Sequence, residues 1–175
     1  MNCLVWNCWG LGNLQTRKEL GDIIWAKDPS VVFIAETWAD EAGLDIVQRN
    51  IDFKHKWVVM KEGCGGGIAL FWKALVNLEV VDSSNYYIDT CVDKGTDNEW
   101  HFISFYGEPA TSRRSEVWDD LQGRLNHISK WYNCLRPPNK KRPPLVKKKK
   151  IIYIIYLSIY FNYKKKILLL INKMH

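Results

Sequence analysis

The sequence predicts an α/β fold with a strand–helix–strand start, an antiparallel meander in the middle and a return helix. Three observations support this class. Two apolar runs flank an amphipathic segment near the N-terminus, hairpin-like strand pairs follow, and a long helical pattern begins near Ser112. The chain has 175 residues, a length typical of one domain.

The opening unit has the clearest boundaries. Residues 2–8 form a short apolar strand that ends at a glycine-containing loop. Apolar residues then recur at helical spacing between Gln15 and Lys27, and Asp28-Pro29-Ser30 ends that helix. Val31–Ala35 is a continuous apolar run. We therefore expect two adjacent strands, both well buried.

The rest of the body alternates apolar runs with polar turns. A weaker helix is predicted over Asp40–Arg49. The expected strands that follow are Lys56–Glu62 paired with Gly67–Trp72, Leu75–Asp82 paired with Tyr86–Asp93, and Glu99–Gly107. The helix from Ser112 to about Trp131 would place four apolar residues on one face, namely Val117, Leu121, Leu125 and Ile128.

Charge is distributed unevenly along the chain. Residues 1–135 hold 13 of the 25 basic residues and all 19 acidic residues, whereas residues 136–175 hold the other 12 basic residues. We interpret residues 1–135 as a truncated domain, 136–145 as a basic, proline-rich linker, and 146–175 as a low-complexity tail. The tail consists almost wholly of residues with A/T-rich codons, so it resembles translated non-coding DNA. We therefore interpret it as a basic C-terminal tail that does not look native.

The five cysteines are an odd number with no framework spacing, and no secretory signal opens the chain. These features predict an intracellular protein with free thiols, which is not secreted; the nucleus is one candidate compartment. A zinc site is not expected, because no second ligand pair follows Cys3 and Cys8. Gly63–Gly67 is interpreted as a flexible hairpin turn, since no phosphate-loop Lys follows it.

Three polar side chains lie where predicted strands end. Asn7 ends the first strand, Glu36 ends the second, and Tyr106 lies at the end of the strand over 99–107. In open α/β sheets, ligands bind at the carboxyl ends of strands. A carboxylate there can bind Mg²⁺, whose other positions are filled by water and substrate phosphate. An amide and a phenol nearby can donate hydrogen bonds to phosphate oxygens.

The local sequences around these residues resemble a known family. The opening motifs resemble the endonuclease/exonuclease/phosphatase superfamily, and later motifs resemble the endonuclease domain of plant-type LINE (non-LTR) retrotransposons. The resemblance spans about residues 1–131. The matching segments are VWNCWGLGN (5–13), VVFIAET (31–37), GGGIALFW (65–72), FYGEP (105–109), SRR (112–114) and Trp118.

This resemblance implies a four-layer α/β sandwich that performs Mg²⁺-dependent phosphodiester hydrolysis on DNA. By motif, Glu36 resembles the principal metal ligand, and Asn7 resembles the residue that positions metal and phosphate. Tyr106 resembles the aromatic hydroxyl near the scissile phosphate. No comparable role is assigned to Asp89 or His101, which look like strand residues in a meander. No stable protein partner is predicted.

The chain departs from the family pattern after Trp131. The family's Gly-Asp-Phe-Asn and Ser-Asp-His motifs are missing, and no Asp or Glu follows Asp120. The leading interpretation is an inactive, partial sandwich. The alternatives are a phosphodiesterase completed by a partner, a nucleic-acid-binding protein acting through its basic tail, and a protein whose tail contacts a membrane surface.

Overall fold

The computed structural model describes residues 1–60, 66–108, 111–113, 115–124, 152–155 and 167–171. Within these residues the chain forms two β-sheets, three α-helices and a short 3₁₀ turn at Thr111–Arg113. The elements in chain order are β1 (Cys3–Asn7), α1 (Leu14–Lys27), β2 (Val31–Ala35), α2 (Glu41–Asn50), β3 (His55–Val59), β4 (Ile68–Trp72), β5 (Leu78–Ser83), β6 (Tyr87–Val92), β7 (Trp100–Phe105), α3 (115–124), β8 (Ile152–Ile155) and β9 (Ile167–Ile171).

The strand–helix–strand start is confirmed. β1 and β2 are parallel neighbours, and every residue of both strands is buried. The Asn13 side chain caps α1 by accepting a hydrogen bond from the Gln15 backbone N–H at 2.8 Å. The helix ends at Asp28, which has a left-handed φ of 43°. The local sequence thus determines both ends of the first helix.

The first sheet has the strand order β3-β4-β2-β1-β9. One of its faces packs against α1 and α2 through a core that includes Leu4, Trp6, Leu20 and Leu44. Its other face packs against the second sheet. Alternate residues of β1 therefore serve two different cores, which explains why that strand is a continuous apolar run.

The second sheet has the order β5-β6-β7-β8, and its outer face packs against α3. Val117 and Leu121 of α3 are buried there, as the helical spacing predicts. Leu125 and Ile128 lie outside the described residues. Helices, sheet, sheet and helix stack in that order, so the prediction of a partial four-layer α/β sandwich is confirmed.

The tail contributes a strand to each sheet, which its composition did not indicate. β9 pairs antiparallel with β1, and β8 pairs parallel with β7. Residues 136–145 lie outside the described part, and the division at 135 remains a prediction. Among the described helices, none combines the length and apolar character needed to cross a membrane. Contact of the tail with a membrane surface also remains a prediction.

Candidate active site

Glu36 is the first residue after β2, and it is 93% buried, with an exposed fraction of 7%. Its backbone has a positive φ of 58°, which is uncommon for a residue with a side chain. Hydrogen bonds to the Glu36 carbonyl oxygen stabilise this conformation: the Gly10 N–H donates at 2.8 Å and the Cys8 thiol at 3.3 Å. The loop after β1 therefore holds the backbone of Glu36 in place.

Both carboxylate oxygens of Glu36 accept hydrogen bonds from the protein. The Gly66 backbone N–H donates to Oε2 at 3.0 Å, and the Tyr106 hydroxyl donates to Oε1. Tyr106 directly follows β7 of the second sheet and is buried. The Glu36–Tyr106 contact thus joins the two sheets at the ends of their strands. Sequence reasoning named both residues, and the fold brings them together.

Asn7 ends β1, next to β2, and its register partner is Ala35, the residue before Glu36. Its Oδ1 accepts a hydrogen bond from the Trp9 N–H at 3.3 Å, and the side chain is 7% exposed. Oδ1 keeps a second lone pair, and the amide NH₂ group remains a donor. All three predicted site residues therefore lie at the carboxyl ends of their strands.

The hairpin predicted at Gly63–Gly67 is confirmed by the antiparallel pairing of β3 and β4, and its last two residues, Gly66 and Gly67, are buried against the site. A Cβ on Gly66 would lie 2.6 Å from the Glu36 Cα atom, and one on Gly67 would lie 2.5 Å from the Val59 carbonyl oxygen. Only glycine allows this close backbone approach. The sequence signal was the position of these glycines directly before a fully buried strand.

A second hydrogen-bond network lies beside Tyr106. The Tyr86 hydroxyl donates to Oε2 of the buried Glu108 at 2.7 Å, and the Arg113 Nη2 donates to the Tyr86 hydroxyl oxygen at 3.2 Å. Hydrogen bonding to the Glu108 carboxylate raises the pKa of Tyr86, so its phenol stays protonated at neutral pH. The Tyr86 carbonyl also accepts the Tyr106 N–H at 2.7 Å. This network supports the backbone that holds Tyr106.

Asp89 and His101 lie in β6 and β7 of the meander, as the sequence predicts, and they also belong to a polar cluster. Asp89 is completely buried, and its carboxylate contacts His101 Nδ1 at 2.9 Å. Arg124 of α3 donates to Asp89 Oδ2 from Nε at 3.1 Å and from Nη2 at 2.9 Å. A further ion pair joins Arg124 to Asp82. Because Tyr87 and α3 flank it, this cluster lies on the outer face of the second sheet, away from the inter-sheet core.

The described cysteines fit the prediction of free thiols. Cys3, Cys8 and Cys91 are free and buried. Burial raises the pKa of the Cys3 thiol, and it raises the pKa of Cys91 to about 11. These thiols are therefore protonated at neutral pH and are poor nucleophiles. Within the described ranges, no group of three or more His, Cys, Asp or Glu side chains is arranged to bind a metal.

Comparison with solved structures identifies the fold. The catalytic domain of human Nocturnin with bound sulfate aligns with a TM-score of 0.56 at 15% identity, covering 74% of this chain and 60% of that one. D. rerio TDP2 complexed with a single-strand DNA product aligns with a TM-score of 0.55 at 14% identity, covering 74% and 54%. An endonuclease/exonuclease/phosphatase family protein from Bacteroides thetaiotaomicron gives 0.50 at 13% identity, covering 74% and 60%.

At these identities the likeness concerns the fold, and the chain has the endonuclease/exonuclease/phosphatase fold. It spans 54 to 60% of the length of these three structures. No protein-family model and no curated protein matches the sequence. The fold predicted from the resemblance is therefore correct, whereas substrate and activity have to be argued from the residues of the site.

Proposed function

We propose that this chain is a partial phosphodiesterase of the nuclease type, which binds Mg²⁺ and a DNA phosphodiester at Glu36 but hydrolyses it little or not at all. The observation that supports this most strongly is the environment of Glu36. Its carboxylate is buried at the carboxyl ends of the strands, and within the described residues its hydrogen-bond donors are the neutral Gly66 N–H and Tyr106 hydroxyl. A buried negative charge without a cationic partner favours binding of a cation.

The donor chemistry of the site fits Mg²⁺. This ion takes oxygen ligands and needs only one or two protein carboxylates, because it keeps several waters. Glu36 would supply the carboxylate and Asn7 an amide oxygen. The hydroxyl of Thr37, which directly follows Glu36, is fully buried and has no hydrogen-bond partner within the described residues. With one carboxylate, the affinity for Mg²⁺ should be weak.

Each of the three site residues would have a separate task. Glu36 would hold the metal, which when bound supplies positive charge to neutralise the phosphate. The Asn7 amide NH₂ group would donate a hydrogen bond to a phosphate oxygen. The Tyr106 hydroxyl would exchange its hydrogen bond from Glu36 to the phosphate when substrate enters. These groups bind and orient a phosphodiester, and none of them deprotonates water.

Within the described residues, no histidine and no second carboxylate hydrogen-bonds to Glu36 or Asn7, so no candidate general base contacts the site. Asp89 contacts both His101 and Arg124 on the outer face of the second sheet, and His55 stacks on Trp72 at 5.4 Å between ring centroids. Because general acid–base catalysis supplies roughly 10²–10⁴-fold in rate, its loss reduces turnover strongly. Together with the motif resemblance, this supports our proposal that the chain is an inactive copy of a retrotransposon endonuclease domain.

The test is plasmid nicking by the purified full chain in Mg²⁺, compared with Glu36→Gln prepared in parallel. An abasic duplex serves as a second substrate. We expect the two proteins to give the same background cleavage on both substrates. Mg²⁺-dependent nicking by the wild type that disappears in Glu36→Gln would overturn the interpretation that the chain is inactive. It would favour a site completed by a partner or a second copy.

We infer a second, separate contribution to DNA binding from the basic tail. The support is the register of β9: Ile167 pairs with Asn7, and Lys164–Lys166 directly precede Ile167 in the sequence. The body, residues 1–135, is net acidic, so the tail is the main source of long-range electrostatic attraction to phosphate. Replacing Lys164–Lys166 by Gln should lower affinity for any DNA sequence and reduce the slope of log affinity against log salt by about 3. An unchanged slope would contradict this contribution.

A further inference from the structure

Two exposed tryptophans lie at the rim of the candidate active site. Trp9 is two residues after Asn7, and Trp38 is two residues after Glu36. Their exposed fractions are 52% and 51%, whereas Trp6 in β1 is 1% exposed. Trp25 and Trp57 are exposed as well, but Trp9 and Trp38 directly follow the strand ends that carry the candidate site.

The backbone fixes both tryptophans in an uncommon conformation. Trp9 has a φ of 52° and Trp38 a φ of 46°, the left-handed region that bulky residues rarely adopt. Such strain persists where surrounding structure imposes it, and it is frequent at ligand sites. Here the loops after β1 and β2 are joined by hydrogen bonds, including one from the Leu11 N–H to the Thr37 carbonyl oxygen at 2.6 Å.

Gly10 brings the two loops into contact. It has a φ of 107°, and a Cβ at this position would lie 3.7 Å from the Trp38 Cβ and 3.9 Å from its Cδ1. The Trp38 side chain therefore packs over the residue that follows Trp9. In addition, the Trp9 N–H donates to the Asn7 side chain, so the loop that carries Trp9 is bonded to the site itself.

We propose that Trp9 and Trp38 form a stacking surface for an unpaired nucleobase whose phosphate lies at Asn7 and Glu36. This inference rests on the proposed function and specifies its substrate class as single-stranded DNA. Indole rings stack on any base, and only an unpaired base offers its faces to them. The occupant is a nucleotide rather than an apolar protein surface because the rings are continuous with the candidate phosphate site. Stacking also supplies affinity that the net acidic body cannot obtain from charge.

The experiment measures binding of the full chain to a single-stranded oligonucleotide that carries a fluorescent adenine analogue, whose emission reports stacking. Chelator removes Mg²⁺, and elevated salt weakens phosphate contacts made by the tail. Trp9→Ala and Trp38→Ala are each expected to weaken binding by about 5- to 150-fold, and Phe at either position should restore part of the loss. Trp25→Ala is the matched control, since Trp25 is 89% exposed on α1.

Two further probes separate stacking from other contacts. The duplex form and an abasic strand of the same length should both bind more weakly than the single strand. Equal binding of the abasic strand, or affinity unchanged in both Ala variants, would overturn the inference. Because the assay contains no metal, failure of the proposed Mg²⁺ site in the nicking test would leave Trp-dependent binding intact, so the two failures are distinguishable.

Discussion

Two buried carboxylates in this protein have opposite surroundings. Asp89, on the outer face of the second sheet, is paired with Arg124 and contacts His101. Glu36, at the strand ends of the first sheet, accepts hydrogen bonds only from neutral groups within the described residues. The fold itself compensates the charge of Asp89, whereas the charge of Glu36 remains available to a ligand. Partner chemistry, more than burial, separates a structural carboxylate from a candidate functional one.

The largest effect is expected when the edge strands β8 and β9 are removed from the two sheets together. A chain ending at Leu135 lacks β8 and β9, which leaves β7 and β1 as unpaired edges. β1 ends at Asn7, and Tyr106 directly follows β7. The truncation therefore removes the strands that pair beside both of these site residues. We expect no cooperative thermal transition by circular dichroism. A soluble monomer with a sharp two-state transition would contradict this expectation.

Arg124→Ala should disrupt the hydrogen-bond and ion-pair network of Asp89 and leave Glu36 unaffected. Removing one partner of a buried ion pair leaves an uncompensated charge, which costs about 3 kcal/mol. We expect the free energy of unfolding in urea to fall by about that amount. The double variant with Asp89→Asn is the control, and it should recover part of the loss because the buried charge is gone. Equal stability of Arg124→Ala and wild type would show that the network is not structural.

Gly66→Ala should disrupt the packing around Glu36 and leave the Asp89 network unaffected. The new Cβ would meet the Glu36 backbone at 2.6 Å, so the two segments have to separate. Overpacking of this kind costs about 1–3 kcal/mol of stability, and we also expect loss of Mg²⁺ binding. Gly21→Ala is the matched control: Gly21 lies in α1 with nothing within 4 Å of its Cβ position, and alanine there should stabilise the helix. A Gly66→Ala protein as stable as wild type would contradict the close approach.

The smallest effect is expected at Asp82, which shares Arg124 with Asp89. The Asp82 side chain is 41% exposed, whereas that of Asp89 is 0% exposed. Since exposed ion pairs are screened by water, Asp82→Asn should lower the free energy of unfolding by at most about 1 kcal/mol. Urea titration against Asp89→Asn measures the difference. A larger loss at Asp82 than at Asp89 would show that burial does not set the strength of these pairs.

Local sequence sufficed to predict the elements that are defined within one segment. The apolar run of β2 and the Asp28-Pro29 break after α1 both act over a few residues. The strand-end rule also located Asn7, Glu36 and Tyr106, because the ends of buried strands are visible in the sequence. The fold class and the candidate site could therefore be predicted together.

What could not be predicted depends on contacts between distant segments. Asp89 meets Arg124, 35 residues away, through the docking of α3, and nothing in the meander indicates that partner. The pairing of β9 with β1 joins distant segments of the chain, and the low-complexity composition of the tail does not predict it. The only available indication of a role for Asp89 was its charge within a predicted strand. That charge did not identify Arg124 as its partner.

The central claim is that Glu36, unlike the other carboxylates of the body, is a cation site. Calorimetric titration of the full chain with Mg²⁺ tests it most directly, with Glu36→Gln as the variant and Asp82→Asn as a control that removes the same charge elsewhere. Wild type and Asp82→Asn should bind Mg²⁺ weakly at one site, and Glu36→Gln should show no binding. Equal binding by Glu36→Gln and wild type would contradict the claim.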